Sequence, residues 1–541
     1  MWKGIVFTGI WIIPIVFLAA IVIIQVFQMR GSNVTQILII ATLVSIGTVA
    51  YIFNANDIRK RNGLRDDKIT MLGAFTKQTS EYDFDDNRRA HVYPPINEAL
   101  LFTKPTGYVF GRPVDDPNHY VCCDMSKEGQ RIGIFAGSGC GKTQQSLMFI
   151  AGTKNKIHSL IIDPKKEITR LVYREGDNAK IFDPETRVND GVHVGYDPFG
   201  RLNKTKQATE QMIFETMDEV ASSQIALEGD SNDFWKIGAR EMWTCCLMYF
   251  YQTGITNLPD IATYTLSKPI RELVEEIYKN SNEHSITRRI ASRYVGTADE
   301  TLTSISLNLV QEITKYSVDQ RLVWALKYAP EKFTPETLLE SSVYVSISLP
   351  SMGGFSSLVK MMVNQFATWT LGLPDHVEEP ERANIALVFE EFTGFLAEVG
   401  KIDKIPQLLR YARSKNISII IICQSISAIK AVYRNDNEVA DMLSNLGYIL
   451  IMQAVDKETQ EWLCSLCGTF KKRTVSFNEV GMNGNTNKTI SYMDEPIVTP
   501  QQLISLGGTD EAILISHKSS YSRIKKTPAW KQPGIKELLN S

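Results

Sequence analysis

The stretch Ala136–Leu147, AGSGCGKTQQSL, holds the residues whose types and spacing speak most directly of chemistry. Gly141, Lys142 and Thr143 complete the pattern GxxxxGK[ST], with Ala136 standing where the first glycine is usual. Such a loop binds phosphate for physical reasons. Gly137, Gly139 and Gly141 let the backbone curl, so that the N–H groups of a loop that also contains Ser138 and Cys140 point at phosphate oxygens. The helix N-terminus that follows adds a favourable dipole for an anion. Lys142 then reaches the β- and γ-phosphates of ATP, and the Thr143 hydroxyl ligates Mg2+. A chance glycine-rich turn fits less well, because an apolar strand-like run, RIGIFA, precedes the loop and a helix-compatible run, KTQQSLMFIAG, follows it.

The second landmark is ANIALVFEEFTGFL. Ile385 to Phe389 is continuously apolar, as a central parallel strand is. It ends in Glu390 and Glu391, at the edge where open α/β sheets bind ligands. Two acids after an apolar strand are often only a strand end. Beside a phosphate loop they gain roles: Glu390 to hold Mg2+ through water, Glu391 to orient or deprotonate the attacking water. The first of these positions is usually Asp, and a longer Glu predicts altered metal geometry and slow turnover.

A third piece is RSKNISIIIICQSIS. Ile417 to Cys423 reads as another buried strand, with Gln424 at its end, where an amide can sense a γ-phosphate. Upstream, Arg410 and Arg413 fall in the helix-like LLRYARSKN. An arginine from one subunit of a ring can complete a neighbour's site, although a solvated basic pair gives the same letters.

These residues need a parallel sheet to position them. HSLIIDPKKEI, NAKIFDP, VHVGYDPFG and SSVYVSISLP (Ser341 to Pro350) read as further strands, after a strand-rich lead-in, YVFGRPV and HYVCCDM. Alternation with helices argues for crossover connections. From Leu202 to Ala329 the pattern is almost wholly helical, which predicts an all-helical insertion between two halves of one α/β domain. Near the C-terminus, TFKKRTVSFNEVGMNGNTNKTISYMDE predicts a hairpin at a late sheet edge, where Lys471, Lys472 and Arg473 fit a solvated strand better than a DNA-facing patch. EAILISH reads as a final strand, and SRIKKTPAWKQPG as a basic surface tail.

Two uncharged apolar runs, Gly4 to Phe27 (24 residues) and Val34 to Phe53 (20 residues), are each long enough to cross a bilayer. QMRGSN alone separates them, so a tight transmembrane hairpin is expected. The basic RKRNGLR that follows predicts that both termini and the bulk of the chain lie on the cytoplasmic side. The net charge is −2, so no global basic field advertises nucleic acid, and DNA contacts would come from local patches. The eight cysteines follow no disulfide spacing, and the lone CxxC of Cys464 and Cys467 has no second ligand pair for zinc.

The phosphate loop, DPKKE, YDPFG, FWKIGAR, VFEEF, ARSKNISIIIICQS and VDKETQEWLCSLCG stand in the order found in type IV coupling proteins of the TraG/TraD type, which the chain resembles over nearly its whole length. These are the membrane-anchored ATPases of conjugation and type IV secretion. The resemblance implies a hexameric ring in the bacterial inner membrane, a RecA-like ATPase domain, and an all-α domain that meets cargo. It matches Lys142, Thr143, Glu390, Glu391, Arg413 and Gln424 to the family's ATP-site positions, and implies ATP and Mg2+ as ligands. The expected organisation is a transmembrane hairpin over 1–56, a connector over 57–104, the ATPase domain over 105–200 and 336–527, the all-α domain over 201–335, and a tail over 528–541. The expected cargo is a relaxase with its attached single-stranded DNA, delivered to the secretion channel. A receptor for protein effectors on the same scaffold is the close alternative. A low-turnover nucleotide-binding docking platform is another. A double-stranded DNA translocase would call for a large linker or a winged-helix reader, and neither is evident.

Overall fold

A computed structural model describes residues 96–537, apart from short segments at 126–128, 155, 175, 228–232, 481–484, 517–518, 527, 533–534 and 536. The expected transmembrane hairpin and most of the connector lie outside the described residues. Among the described residues no helix is long and apolar enough to cross a membrane.

In chain order the strands are β1 (Leu101–Phe102), β2 (Tyr108–Pro113), β3 (Tyr120–Cys123), β4 (Arg131–Phe135), β5 (Ile157–Ile162), β6 (Ala179–Phe182), β7 (Gly195–Tyr196), β8 (Lys332–Phe333), β9 (Ser342–Val345), β10 (Asn384–Phe389), β11 (Ile417–Cys423), β12 (Tyr448–Ile451), β13 (Thr469–Val480), β14 (Asn485–Pro496), β15 (Glu511–Ser516) and β16 (Ser519–Lys525). Twelve of them form one sheet in the order β1-β3-β2-β16-β15-β12-β4-β11-β10-β5-β9-β6. From β12 to β6 every pairing is parallel. From β15 outward the pairings turn antiparallel. IALVF in β10 and ISIIIIC in β11 are apolar except for Ser418, whose hydroxyl accepts from the Gln130 N–H, because helices cover both faces of a parallel sheet, and every residue of these two runs is buried.

Register decides where the chemistry sits. Phe389 of β10 pairs with Ile162 of β5 and with Ile421 of β11, and Cys423 of β11 pairs with Phe135 of β4. Phe135 also pairs with Ile451 of β12. The residues that follow these strands, among them Ala136, Asp163, Glu390, Gln424 and Gln453, therefore emerge along one sheet edge.

Between β7 and β8 the chain forms the helices Glu210–Gln224, Asp233–Gln252, Leu258–Leu266, Ile270–Asn280, Ile286–Val295 and Asp299–Val318. Thr209, Asn257 and Ser285 cap three of them by accepting a backbone N–H in the first turn. The bundle docks on the long helix Leu349–Leu371, where Tyr316 and Ser357 share a hydrogen bond of 2.7 Å and Asn364 donates to Ser223 over 3.2 Å.

Several sequence expectations are corrected. VHVGYDPFG yields only the two-residue β7, which pairs in parallel with β8 in a sheet of its own. SSVYVSISLP is a strand only as far as Val345. Pro350, with its fixed φ, sits in the first turn of the next helix. EAILISH is not the last strand: β16 takes up SRIK from the supposed basic tail, and its Arg523 pairs with Glu511 of β15. Taken by itself, the unit formed by β13 and β14 is a two-stranded antiparallel sheet, registered from Thr469↔Pro496 to Val480↔Asn485, and not an edge of the large sheet.

Candidate functional site: a phosphate loop facing a buried carboxylate

The loop leaves β4 at Ala136 and turns into the helix Lys142–Thr153. Gly139 and Gly141 take φ values of 77° and 94°, a region that side chains disfavour. Ser138 and Gly139 lie at the exposed tip. Gly141 caps the helix with no side-chain hydrogen bond, so its first N–H groups are left to a ligand. Gln453, just after β12, braces the loop: a Cβ at Gly137 would stand 1.9 Å from its Oε1, and the Cys140 thiol donates to that oxygen over 2.9 Å.

On the opposite flank, β10 and β11 bring the acids and the amide to the loop. Lys142 is 7 % exposed, and its Nζ lies 3.0 Å from Oε1 and 3.2 Å from Oε2 of Glu391. Lys165, after β5, reaches the same Oε1 at 2.5 Å. Gln424 donates to Oε2 over 3.1 Å. Burial pushes the Glu391 carboxyl up, but hydrogen bonds from Lys165 and Lys142 outweigh it and hold the group below its usual range. Its neighbour behaves oppositely. Burial, reinforced by the charges of Asp163 and Glu391 against a hydrogen bond from Ser146, raises the Glu390 carboxyl to about 8. Two adjacent acids thus titrate apart, one ionised and one protonated at neutral pH, a division of labour characteristic of acid–base sites.

Thr143 donates to Glu167 over 3.1 Å. Asp163 accepts from the backbone N–H and the hydroxyl of Thr169, each over 2.8 Å, while its Oδ1 is buried without a hydrogen-bond partner. These features suit MgATP. The glycine curl is open above Gly139, where a Cβ would meet nothing within 4 Å. The nearby donors, Thr143, Glu167, Glu390 and Glu391, are all oxygen, as a hard cation requires. Among the described residues no group of three or more His, Cys, Asp or Glu could hold a metal on its own. Mg2+ is commonly held by one or two protein oxygens together with substrate phosphates.

Of the residues singled out in the sequence, the structure gathers 137–143, Glu390, Glu391 and Gln424 at one edge. It leaves Arg410 and Arg413 elsewhere. Arg410 ends the helix Ile405–Tyr411 in an ion pair with Asp441, and Arg413 lies in the exposed turn beyond that helix rather than within it. Both precede β11, whose seven residues run about 23 Å, at roughly 3.3 Å per residue, before Gln424 is reached. Lys165, Glu167, Ser146 and Gln453 escaped sequence reasoning. Ser146 carried a signal, since four residues after Lys142 it shares that residue's helix face. Lys165 ends a buried strand at the ligand edge, but its contact depends on β5 lying beside β10.

One pH effect follows. The folded protein keeps the Glu390 proton up to about pH 8, while the unfolded chain releases it at the ordinary carboxyl value of 4.5. The stability this group confers is complete below that value and is lost as pH rises towards 8. Measured without nucleotide, the melting temperature of wild type should fall more steeply over this window than that of Glu390→Gln, by several degrees in all. Parallel curves would refute the assignment.

Comparison with solved structures finds the fold again in conjugative coupling proteins. TrwBdeltaN70, in an unbound monoclinic form, is 16% identical with a TM-score of 0.55, covering 80% of this chain and 91% of that one. TrwB with the non-hydrolysable ATP analogue ADPNP is 15% identical with a TM-score of 0.57, covering 80% and 92%. TrwB with ADP and Mg2+ is 16% identical with a TM-score of 0.52, covering 75% and 87%. Among curated proteins no sequence matches. The model of the family described as "Type IV secretory system Conjugative DNA transfer" matches residues 96–539. With that match spanning the phosphate loop, both acids and the helical insertion, the chain belongs to the conjugative DNA transfer family of type IV secretion, the type IV coupling proteins.

Proposed function

We propose that this protein is a membrane-anchored, hexameric ring ATPase that recruits a relaxase with its attached single-stranded DNA and uses ATP hydrolysis to deliver it to a type IV secretion channel. The observation that carries the reading is the convergence of Lys142, Lys165 and Gln424 on the buried carboxylate of Glu391 beside an open phosphate loop, in a chain of the conjugative DNA transfer family. Relatives of like fold solved with an ATP analogue and with ADP and Mg2+ support the ligand class.

The chemistry follows from the competition for Lys142. A γ-phosphate offers this lysine a stronger anion than Glu391 does, so substrate binding draws it off the carboxylate. Glu391 regains basicity and can take a proton from the attacking water. Gln424, hydrogen-bonded to Glu391, links the state of the γ-phosphate to the helix Ile426–Tyr433 that follows. Mg2+, when bound, would be held by Thr143 and, through water, by a Glu390 that gives up its proton to the solvent as the cation arrives, and it would neutralise charge on the phosphates. Arg413, in the exposed turn that precedes β11, is assigned to a neighbouring subunit's site. The two lysines that restrain Glu391 also favour a second reading, a docking platform with little turnover.

The test is ATP hydrolysis by the full chain reconstituted in lipid, with and without single-stranded DNA, across a salt series. Stimulation that fades with salt, as phosphate contacts do, supports the proposal. Stimulation by a secreted protein but not by DNA replaces it with the effector receptor, and no turnover under any condition replaces it with the platform.

A further inference from the structure

The acid side of the phosphate loop accounts for one end of a bound nucleotide. The other end must lie across the loop, and the chain places an unassigned aromatic there. β4, which carries the loop, has β11 on one side and β12 on the other. Glu391, Lys142 and Gln424 mark the γ-phosphate end on the β11–β10 side. A nucleotide seated that way extends its ribose and base towards β12, β15 and β16.

On that side a continuous set of contacts ties the C-terminal segment to the loop. Gln453 accepts from Cys140 and donates to the Ile504 carbonyl over 3.1 Å. Lys526, one residue beyond β16, donates to the Leu506 carbonyl over 2.7 Å. The chain then turns back to the phosphate helix, where the Ala529 N–H donates to Oε1 of Gln144 over 3.0 Å, directly after Thr143. Ala529 is fully buried, and the buried Gln532 accepts from Arg112 over 2.7 Å. Between these two anchors stands Trp530, 61 % exposed, with Lys531 Nζ 5.0 Å from its ring centroid. An indole fixed by its neighbours on both sides yet left open to solvent, one residue from a hydrogen bond to the phosphate helix, buries too little area to be explained by packing.

We propose that Trp530 is the stacking platform for the base of the bound nucleoside triphosphate. The inference rests on the nucleotide-site reading above and deepens it, by assigning the base to the C-terminal turn Ala529–Lys531 and the phosphates to the loop. Stacking on an aromatic ring tolerates any base, so Trp530 supplies affinity more than selectivity.

The experiment is equilibrium binding by the full chain of two probes, MgATP and Mg-tripolyphosphate, which shares the phosphates but has no base. Trp530→Ala should raise the dissociation constant for MgATP about tenfold and leave that for tripolyphosphate unchanged. Trp530→Phe, which keeps a ring, should recover most of the loss. Unchanged MgATP affinity in Trp530→Ala would overturn the proposal, and so would an equal loss for both probes, which would mean that Trp530 acts through the shape of the loop. If wild type binds tripolyphosphate but gains nothing from the base, the phosphate site stands and the platform falls. If wild type binds neither probe, the nucleotide-site reading falls, and the platform with it.

Discussion

Glu391→Gln should lower ATP turnover by about 10²- to 10⁴-fold, the usual contribution of a positioned general base, while MgATP binding is kept or tightened. The binding half of this expectation comes from the ion pairs. In wild type the phosphate must take Lys142 from a carboxylate 3.0 Å away, and Lys165 is engaged with the same oxygen. An uncharged amide at this position releases both lysines before substrate arrives. Single-turnover hydrolysis together with equilibrium binding separates the two effects. A variant that turns over normally would show that another group activates the water. One that loses binding along with turnover would show that Glu391 organises the loop rather than acting on the reaction.

Lys142→Ala should abolish measurable hydrolysis and conjugative transfer and weaken MgATP binding by about 100-fold or more, since the loop loses its one buried cation aimed at the β- and γ-phosphates. Its effect on stability should be small. Removing one partner of a buried ion pair ordinarily costs about 3–5 kcal/mol because the other charge is stranded, but here Lys165 still neutralises Glu391. The double variant Lys142→Ala, Lys165→Ala has no such reserve and should show that larger loss in thermal or urea unfolding. Equal stability of the single and double variants would mean that Glu391 is not charged in the folded protein.

Much of this site could be read directly from the letters. The phosphate loop is a local pattern, and the strands β10 and β11 announce themselves as branched apolar runs. Glu390 and Glu391 fall at a strand end, so their place at the ligand edge was readable too. Their opposite titration was not. It arises because Glu390 is buried, with the charge of Asp163 nearby, while Glu391 meets Lys142 and Lys165, the latter just after β5, and strand order is a property of the whole sheet. The same reason hid Gln453, some 300 residues beyond the loop it braces. β16 reads as a solvated tail because of its Arg523, its Lys525 and the lysine that follows, whereas Arg523 answers Glu511 on the neighbouring strand. β7 was overestimated because its alternation is genuine but its neighbour, β8, is only two residues long.

That small β7–β8 ladder has a consequence for how such chains can diversify. Tyr196 and Phe333 are partners across it, so the chain departs for the helical bundle and returns from it within one strand spacing, about 5 Å. A segment whose two ends are already stapled together can be lengthened, shortened or exchanged with little change in the closure entropy of the sheet beneath it. The bundle is in this sense a cassette. Grafting one from a relative between Tyr196 and Phe333 alters what stands above the motor without rewriting the strands that position Lys142 and Glu391, provided the new helices keep a face for Leu349–Leu371.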